Sequence, residues 1–499
     1  MMKEITIGSS IDDSTKLQKI IDSNGNNPAK FVFSDASHIL VNSRIRFWNY
    51  FELDGKDSTF ELKEHVPTSI FGEQIPLIGS KLSKGAAGWD LHNIIFEGNR
   101  DSQKYVPRTS PEHPNTSGNW GRGYHNTIGP LCSGDIKSPT PSNATDILIH
   151  DCEANNNLGD FARIEGGTNI KIWNVKGKRG GHDVVCAAAA KNVEIWGLDI
   201  DTCVNAAVRF RSVENGKIHD CNLRGTRDNT GPLVQVQNTA VNWNCTKIEL
   251  YNNIFTDSLG PAAWVIGTTG KNDIIIRNNL FLGCGKEPAS VKTADVGGIC
   301  IDGFNGLIEY NTFDQNMGYG IVFSGWKSTS SLSGLESTVS RNIITKTTES
   351  LYKGTKSGSG IVNLTGKRHT VDCLENCQYG NKTANHWGVN CKSVYNVDPS
   401  FVAGDYHLKD DSPCVFSEYE LGVYNGVSYH IPDFSKWPAV VISFQTKEEL
   451  TAYVSLQYDI GSLGDDDHVS YFNVGKDFAV DLKKITAPPV PRLRGSITH

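Results

Sequence analysis

The stretch "TDILIHDCEA" at 145–154 is followed by "TNIKIWNVKG" at 168–177 and "KNVEIWGLDI" at 191–200. The three phrases superpose without a gap. Their variants continue as "NGKIHDCNLR", "TKIELYNNIF", "NDIIIRNNLF", "NGLIEYNTFD" and "STVSRNIITK". Anchored on Ile149, Ile172, Ile195, Ile218, Leu250, Ile276, Ile308 and Val339, the spacings are 23, 23, 23, 32, 26, 32 and 31 residues. Apolar and polar residues alternate within each phrase, which predicts short strands. A strand-and-turn repeat of this length without helical periodicity predicts a solenoid. The fold class expected is all-β, a right-handed parallel β-helix of the pectate-lyase type, with coils about 4.8 Å apart.

A second phrase recurs between anchors: "GDFARIEG", "HDVVCAAA", "NAAVRFRS", "GPLVQVQN", "GPAAWVIG", "GGICIDGF" and "YGIVFSGW". It predicts a second strand per coil. Asn253, Asn279, Asn311 and Asn342 each fall three residues after an anchor. They read as an asparagine ladder at a turn, where Asn tolerates the left-handed conformation and bonds its neighbours. The same offset holds Cys152, Val175, Leu198 and Cys221 in earlier coils.

"DDSTKLQKIIDSNG" predicts a capping helix within about residues 1–30. Leu17, Ile20 and Ile21 share its apolar face, Ser14 or Asp13 is the N-cap, and Gly25 ends it. The solenoid is expected over 1–416, with a long loop at 100–131 and an irregular insertion at 326–395. A small β-rich C-terminal appendage and tail are expected over 417–499.

The net charge is -7, which argues against general nucleic-acid binding. No run of about 18 apolar residues suggests a membrane span. "MMKEITIGSSIDD" lacks an apolar leader, so a trimmed sequence or a released or provirus-encoded protein is expected. The 12 cysteines show no CxxC pair and read mostly as small buried hydrophobes.

The equal spacing allows side chains to be stacked by arithmetic. Asp160 falls over Asp183, and His182 over Asn205. Arg163, Cys186 and Arg209 form one column, and Glu165, Ala188 and Arg211 another. Ala162, Val185 and Val208, then Ile164, Ala187 and Phe210, are the inward set. Gln235 and Gln237 continue the outward face, and Asp302 holds a similar place later. This predicts a small-residue floor at Cys186 and Ala188 between charged walls, with His182 and Asp183 at the rim. Guanidinium groups grip carboxylates bidentately, so an acidic polysaccharide is the expected partner. Trp120, Tyr124 and His125 from the long loop are expected to contact it.

Two chemistries fit these residue types. Hydrolysis needs two carboxyl groups, expected from Asp160 and Asp183 with Glu165 as a third candidate. Like charges one coil apart would raise one of the two pKa values. β-Elimination from a uronic acid needs a carboxylate-neutralising arginine, Arg209 or Arg211, and a base, His182. Close carboxylates also suit Ca²⁺, but no spaced Asp motif supports it, and neither a metal nor another cofactor is expected.

"WGRGYHNTIG", "GGHDVVCAA", "KNVEIWGLDI", "GPLVQVQ", "LYNNIFTDSLGPAAWVIG" and "GGICIDG" resemble the β-helix domain of disaggregatase and its relatives from methanogenic archaea. The resemblance spans roughly residues 90–325, and "GHD" and "NNIF…GPAAWVIG" are its most specific parts. It implies degradation of methanochondroitin, a chondroitin-like cell-wall polymer of uronic acid and N-acetylgalactosamine, outside the cell. The expected activity is therefore an endo-acting glycoside hydrolase of an acidic cell-wall heteropolysaccharide. A lyase is the alternative, followed by a non-catalytic adhesin or virion spike and by an epimerase.

Overall fold

The computed structural model describes residues 2–64, 76–81, 86–103, 127–129, 144–157, 159–226, 231–238, 244–268, 272–286, 296–325, 332–351, 354–402, 406–409, 412–414, 471–474 and 478–481. Among the described residues from Lys3 to Tyr395, strands on successive coils pair in parallel. One register column runs Ala162, Val185, Val208, Val234, Ala263, Ile299, Ile321 and Ile361. It includes the inward positions expected from the 23-residue arithmetic, and its members are buried. A parallel β-helix follows.

From Ala206 to Tyr395 each described coil holds three strands where the sequence suggested two, and in earlier coils adjoining strands run together, as in Ala162–Gly180. The third is represented by Asp199–Cys203, Asn222–Thr226, Ile254–Thr256 and Leu280–Leu282. These strands are short and follow the anchor strand after a single corner, so in sequence they merge with it. Residues 332–395 correct the expected irregular insertion. They form Leu335–Ser340, Ile343–Thr345, Ser359–Asn363, His369–Leu374, Asn376–Tyr379, Ala384–Trp387, Asn390–Cys391 and Val394–Tyr395, all stacked on preceding coils. Their Ser, Thr and Asn content obscures the alternation. Within 417–499 the described residues are Tyr471–Val474 and Phe478–Asp481, an antiparallel pair.

The helix Ser14–Ser23 starts where Asp13 accepts the Lys16 N–H at 2.9 Å. Leu17 and Ile21 are buried and Ile20 packs at the edge of the core. Gln18 ties the helix to the first coils, accepting from the Arg46 N–H at 2.6 Å and donating to the Arg46 carbonyl at 3.1 Å. Among the described residues no helix is long and apolar enough to cross a membrane.

The asparagine ladder is present, and it extends to Asn376. Asn253, Asn279, Asn311 and Asn342 each donate from Nδ2 to the next Oδ1 at 2.9, 2.9, 3.0 and 3.0 Å. The left-handed residue lies one position earlier than expected, at Asn252, Asn278, Tyr310, Arg341 and Glu375. The ladder Asn is thereby turned inward, where its amide bonds coil to coil.

Outside the same corner runs a stack of parallel rings: His92, His150, Trp173, Trp196, His219 and Tyr251, with centroids 4.0–5.8 Å apart. Two "HDC" turns punctuate it. His150 lies between Asp151 (2.6 Å) and Asp90 (3.0 Å). His219 lies between Asp220 (2.6 Å) and Glu194 (3.5 Å). Burial opposes charge on both rings, but the flanking carboxylates outweigh it and raise both pKa values above 6.5. A raised folded pKa gives stability that is full below the unfolded value and lost as pH rises through the folded one. Replacing both histidines by Gln is expected to destabilise the protein more at about pH 5.5 than at about pH 8.5. Urea midpoints of the two proteins across that range measure the difference.

Candidate functional site

Gly180 and Gly181 turn the chain into the strand Asp183–Trp196, leaving His182 at the corner. The corner is held from the next coil, where the Asn205 N–H donates to the His182 carbonyl at 3.1 Å. Asp160, one coil earlier, collects three donors. His182 Nδ1 lies 3.0 Å and the Asp183 N–H 2.9 Å from Oδ1, while Arg163 Nη1 lies 2.9 Å from Oδ2. Asp183 Oδ1 accepts from Asn205 Nδ2 at 2.9 Å. Its Oδ2 is 3.3 Å from both His182 Nδ1 and Arg209 Nη1. Arg163 also bonds Glu165, through Nε at 2.7 Å and Nη2 at 2.6 Å.

The structure thus brings Asp160, His182, Asp183, Arg163, Glu165 and Arg209 into one network. The expected roles of the carboxylates need correction. Asp160 is 1% exposed and Asp183 0%, so neither lines an open groove. Burial would raise the Asp160 carboxyl. The His182 ring, Arg163 and the Asp183 N–H instead hold it well below the usual carboxylate range. It is an ionised anchor rather than a proton donor. For Asp160 the expected rise is reversed, because the His182 ring, Arg163 and the Asp183 N–H surround its carboxylate.

The expected floor is also covered. Cys186 and Ala188 are 0% and 1% exposed. Cys186 stands in register between Arg163 and Arg209, with Arg163 and Arg211 close enough to act on its thiol. Burial, partly offset by Arg163, pushes that thiol up to about 12, leaving it inert. The small side chains make room for guanidinium groups from the coils on either side. That is why "HDVVCAAA" sets its His-Asp pair beside its smallest residues.

The imidazole has a defined direction. Nδ1 faces two carboxylates, while Nε2 lies 3.5 Å from Arg209 Nη1. These partners put the proton of the neutral ring on Nδ1 and the lone pair on Nε2. Arg211 lies in register with Ala188 and Gln237, and among the described residues no carboxylate pairs with it. Burial, Arg209 and Arg163 lower its pKa.

Gln235 and Gln237 follow Arg209 and Arg211 on the next coil, and Gln235 donates to Gln237 at 2.7 Å. Asp302 occupies the Glu165 column, but it lies beyond Ala188, Arg211, Gln237 and Ile266, so it is not brought to the cluster. Trp120, Tyr124 and His125 lie outside the described residues. Asn205, which holds Asp183, was visible in sequence only as the residue stacked on His182.

Among the described residues, two clusters have metal-ligand donor types close together: Asp160, His182 and Asp183, and Asp90, His92 and His150. In the first, Arg163 and Arg209 already neutralise the carboxylates and repel a cation. In the second, the two imidazoles are parallel at 4.7 Å, so one ion cannot lie in both ring planes.

No curated protein matches the sequence. Among solved structures, the chain is similar to the A-module of a mannuronan C-5 epimerase from Azotobacter vinelandii, at 11% identity, 79% of this chain, 97% of that chain and TM-score 0.49. It is similar to a hyperthermoactive exopolygalacturonase from Thermotoga maritima, at 10% identity, 78% and 92% coverage and TM-score 0.42. It is also similar to PfbA, a surface adhesin of Streptococcus pneumoniae, at 12% identity, 79% and 93% coverage and TM-score 0.48. One family model falls on coils C-terminal to the His182 cluster, further along the chain than the phrases quoted above suggested. Residues 245–418 match the model described as disaggregatase related, and this part of the solenoid carries a disaggregatase-related domain.

Proposed function

We propose that the protein shortens an acidic polysaccharide by β-elimination, with His182 as the base. The observation that carries this reading is the orientation of His182, whose Nδ1 faces two carboxylates while Nε2 faces the Arg209 guanidinium. Arg211 receives the uronate carboxylate it lacks among its own neighbours, with Arg209 beside it. Neutralising that carboxylate acidifies the C5–H bond. His182 Nε2 takes the C5 proton, the C4–C5 double bond forms, and the C4–O4 bond breaks. The departing O4 takes a proton from water. Asp160 steadies the imidazolium through Nδ1. Glu165, held by Arg163, and the Gln235–Gln237 pair line the path of neighbouring sugars.

Hydrolysis is the weaker reading because it requires a protonated carboxyl, and Asp160 is held ionised. The resemblance to disaggregatase relatives supports a methanochondroitin-like substrate and, with it, action outside the cell.

The test is incubation with such a polymer, followed by size-exclusion chromatography with ultraviolet and reducing-end detection. Shortened chains that carry the absorbance of an unsaturated uronate are expected. New reducing ends without absorbance would make the protein a hydrolase. Binding without shortening would make it an adhesin.

A further inference from the structure

The last coils carry cysteines arranged unlike the others. Cys373 and Cys391 are register partners on adjacent parallel strands. Neighbouring strands lie about 4.8 Å apart, within the Cα separation that a disulfide spans. Their side chains are close enough to act on each other. Cys414 and Cys377 form a second neighbouring pair in one small apolar cluster. The two pairs sit in different apolar clusters. Cys373 belongs to the main core with Cys391 packed against it. Cys377 and Cys414 share a small terminal cluster with Ile343 and Leu408. That separation excludes a four-thiolate metal site, which would need all four sulfurs around one point.

All four thiols are free in this structure. We infer that Cys373–Cys391 and Cys377–Cys414 are disulfide sites that lock the C-terminal end of the solenoid when the protein meets an oxidising environment. A solenoid end is where stacking stops, because the final coil has a neighbour on one side only. The two links interleave along the chain, 373 to 391 across 377 to 414, so neither loop can peel away without the other.

The chemistry is thiol–disulfide exchange with a small-molecule disulfide such as oxidised glutathione. Cys391 is the half-buried member, and its thiolate attacks the glutathione disulfide first. A mixed disulfide forms and one glutathione thiol leaves. The Cys373 thiolate then displaces the second glutathione thiol. For each protein disulfide formed, one glutathione disulfide is reduced to two thiols. Cys377 and Cys414 are both fully buried, so their exchange follows only when the end opens.

The test uses the full-length reduced protein, incubated with a glutathione redox buffer, quenched with acid, alkylated and mapped by mass spectrometry without reduction. Peptides joined 373–391 and 377–414 are expected, the first appearing faster. The oxidised protein should unfold at a temperature several degrees higher than the reduced protein. C414S should lose the second link and retain the first. Complete alkylation of all four cysteines, under conditions where the urea-unfolded chain does form disulfides, overturns the inference. So does linkage in any other pairing.

Discussion

Replacing His182 by Ala lowers kcat on an acidic polysaccharide about a thousandfold, the usual contribution of a positioned general base. The substitution removes the imidazole whose Nε2 faces Arg209 Nη1 at 3.5 Å. Binding should survive, because Arg209 and Arg211 remain, so KM should change little. Arg211→Gln should show the opposite split, with KM rising as the carboxylate anchor is lost. Initial rates from ultraviolet absorbance, with the circular dichroism of each variant as a check on the fold, separate the two. A His182→Ala enzyme that depolymerises at the wild-type rate would remove the histidine from the mechanism and return attention to Glu165.

Asn311 is the position where truncation to Ala is expected to cost most in stability. Asn311 Nδ2 donates to the Ile276 carbonyl at 2.9 Å, to the Glu309 carbonyl at 3.0 Å and to Asn342 Oδ1 at 3.0 Å. Its Oδ1 accepts the Asn279 N–H at 3.0 Å and Asn279 Nδ2 at 2.9 Å. Asn311 is fully buried, so the groups left behind have no water to turn to. Several orphaned polar groups at about 1–3 kcal/mol each give a loss of about 3–5 kcal/mol after partial relaxation. Urea titration at fixed pH reads this as a lower midpoint. Asp is the informative companion: it keeps an acceptor for Asn279 but sets its second oxygen against the Ile276, Glu309 and Asn342 oxygens in a dry interior, so it should cost at least as much as Ala.

The repeat was legible because the core of a parallel solenoid demands one apolar column per inward position, and Ile149, Ile172 and Ile195 meet that demand at constant spacing. The stacking of Asp160, His182 and Arg163 near Asp183 and Arg209 followed from the same arithmetic. What the arithmetic could not supply was direction within the cluster. Whether a carboxylate faces water or a guanidinium depends on side-chain rotamers, and Asp160 turned out to be enclosed by donors. The third strand of each coil escaped notice because strands as short as Ile254–Thr256 carry too few residues to show a period. The final coils escaped because polar side chains such as Asn376 and Gln378 are buried there, a choice that hydropathy patterning reads as loop.

The inward corner position changes character along the rod. Cys152, Val175, Leu198 and Cys221 fill it first, then the asparagines take over, and the Cys221 N–H donating to Asn253 Oδ1 at 3.1 Å joins the two regimes. Apolar contacts weaken on cooling, whereas an amide column in a dry interior is far less sensitive. The rod therefore has a thermal polarity. Chilling is expected to loosen this corner beside the His182 cluster more than the amide-spined corner further along. A rod built this way gives in the cold at one end of its corner column before the other.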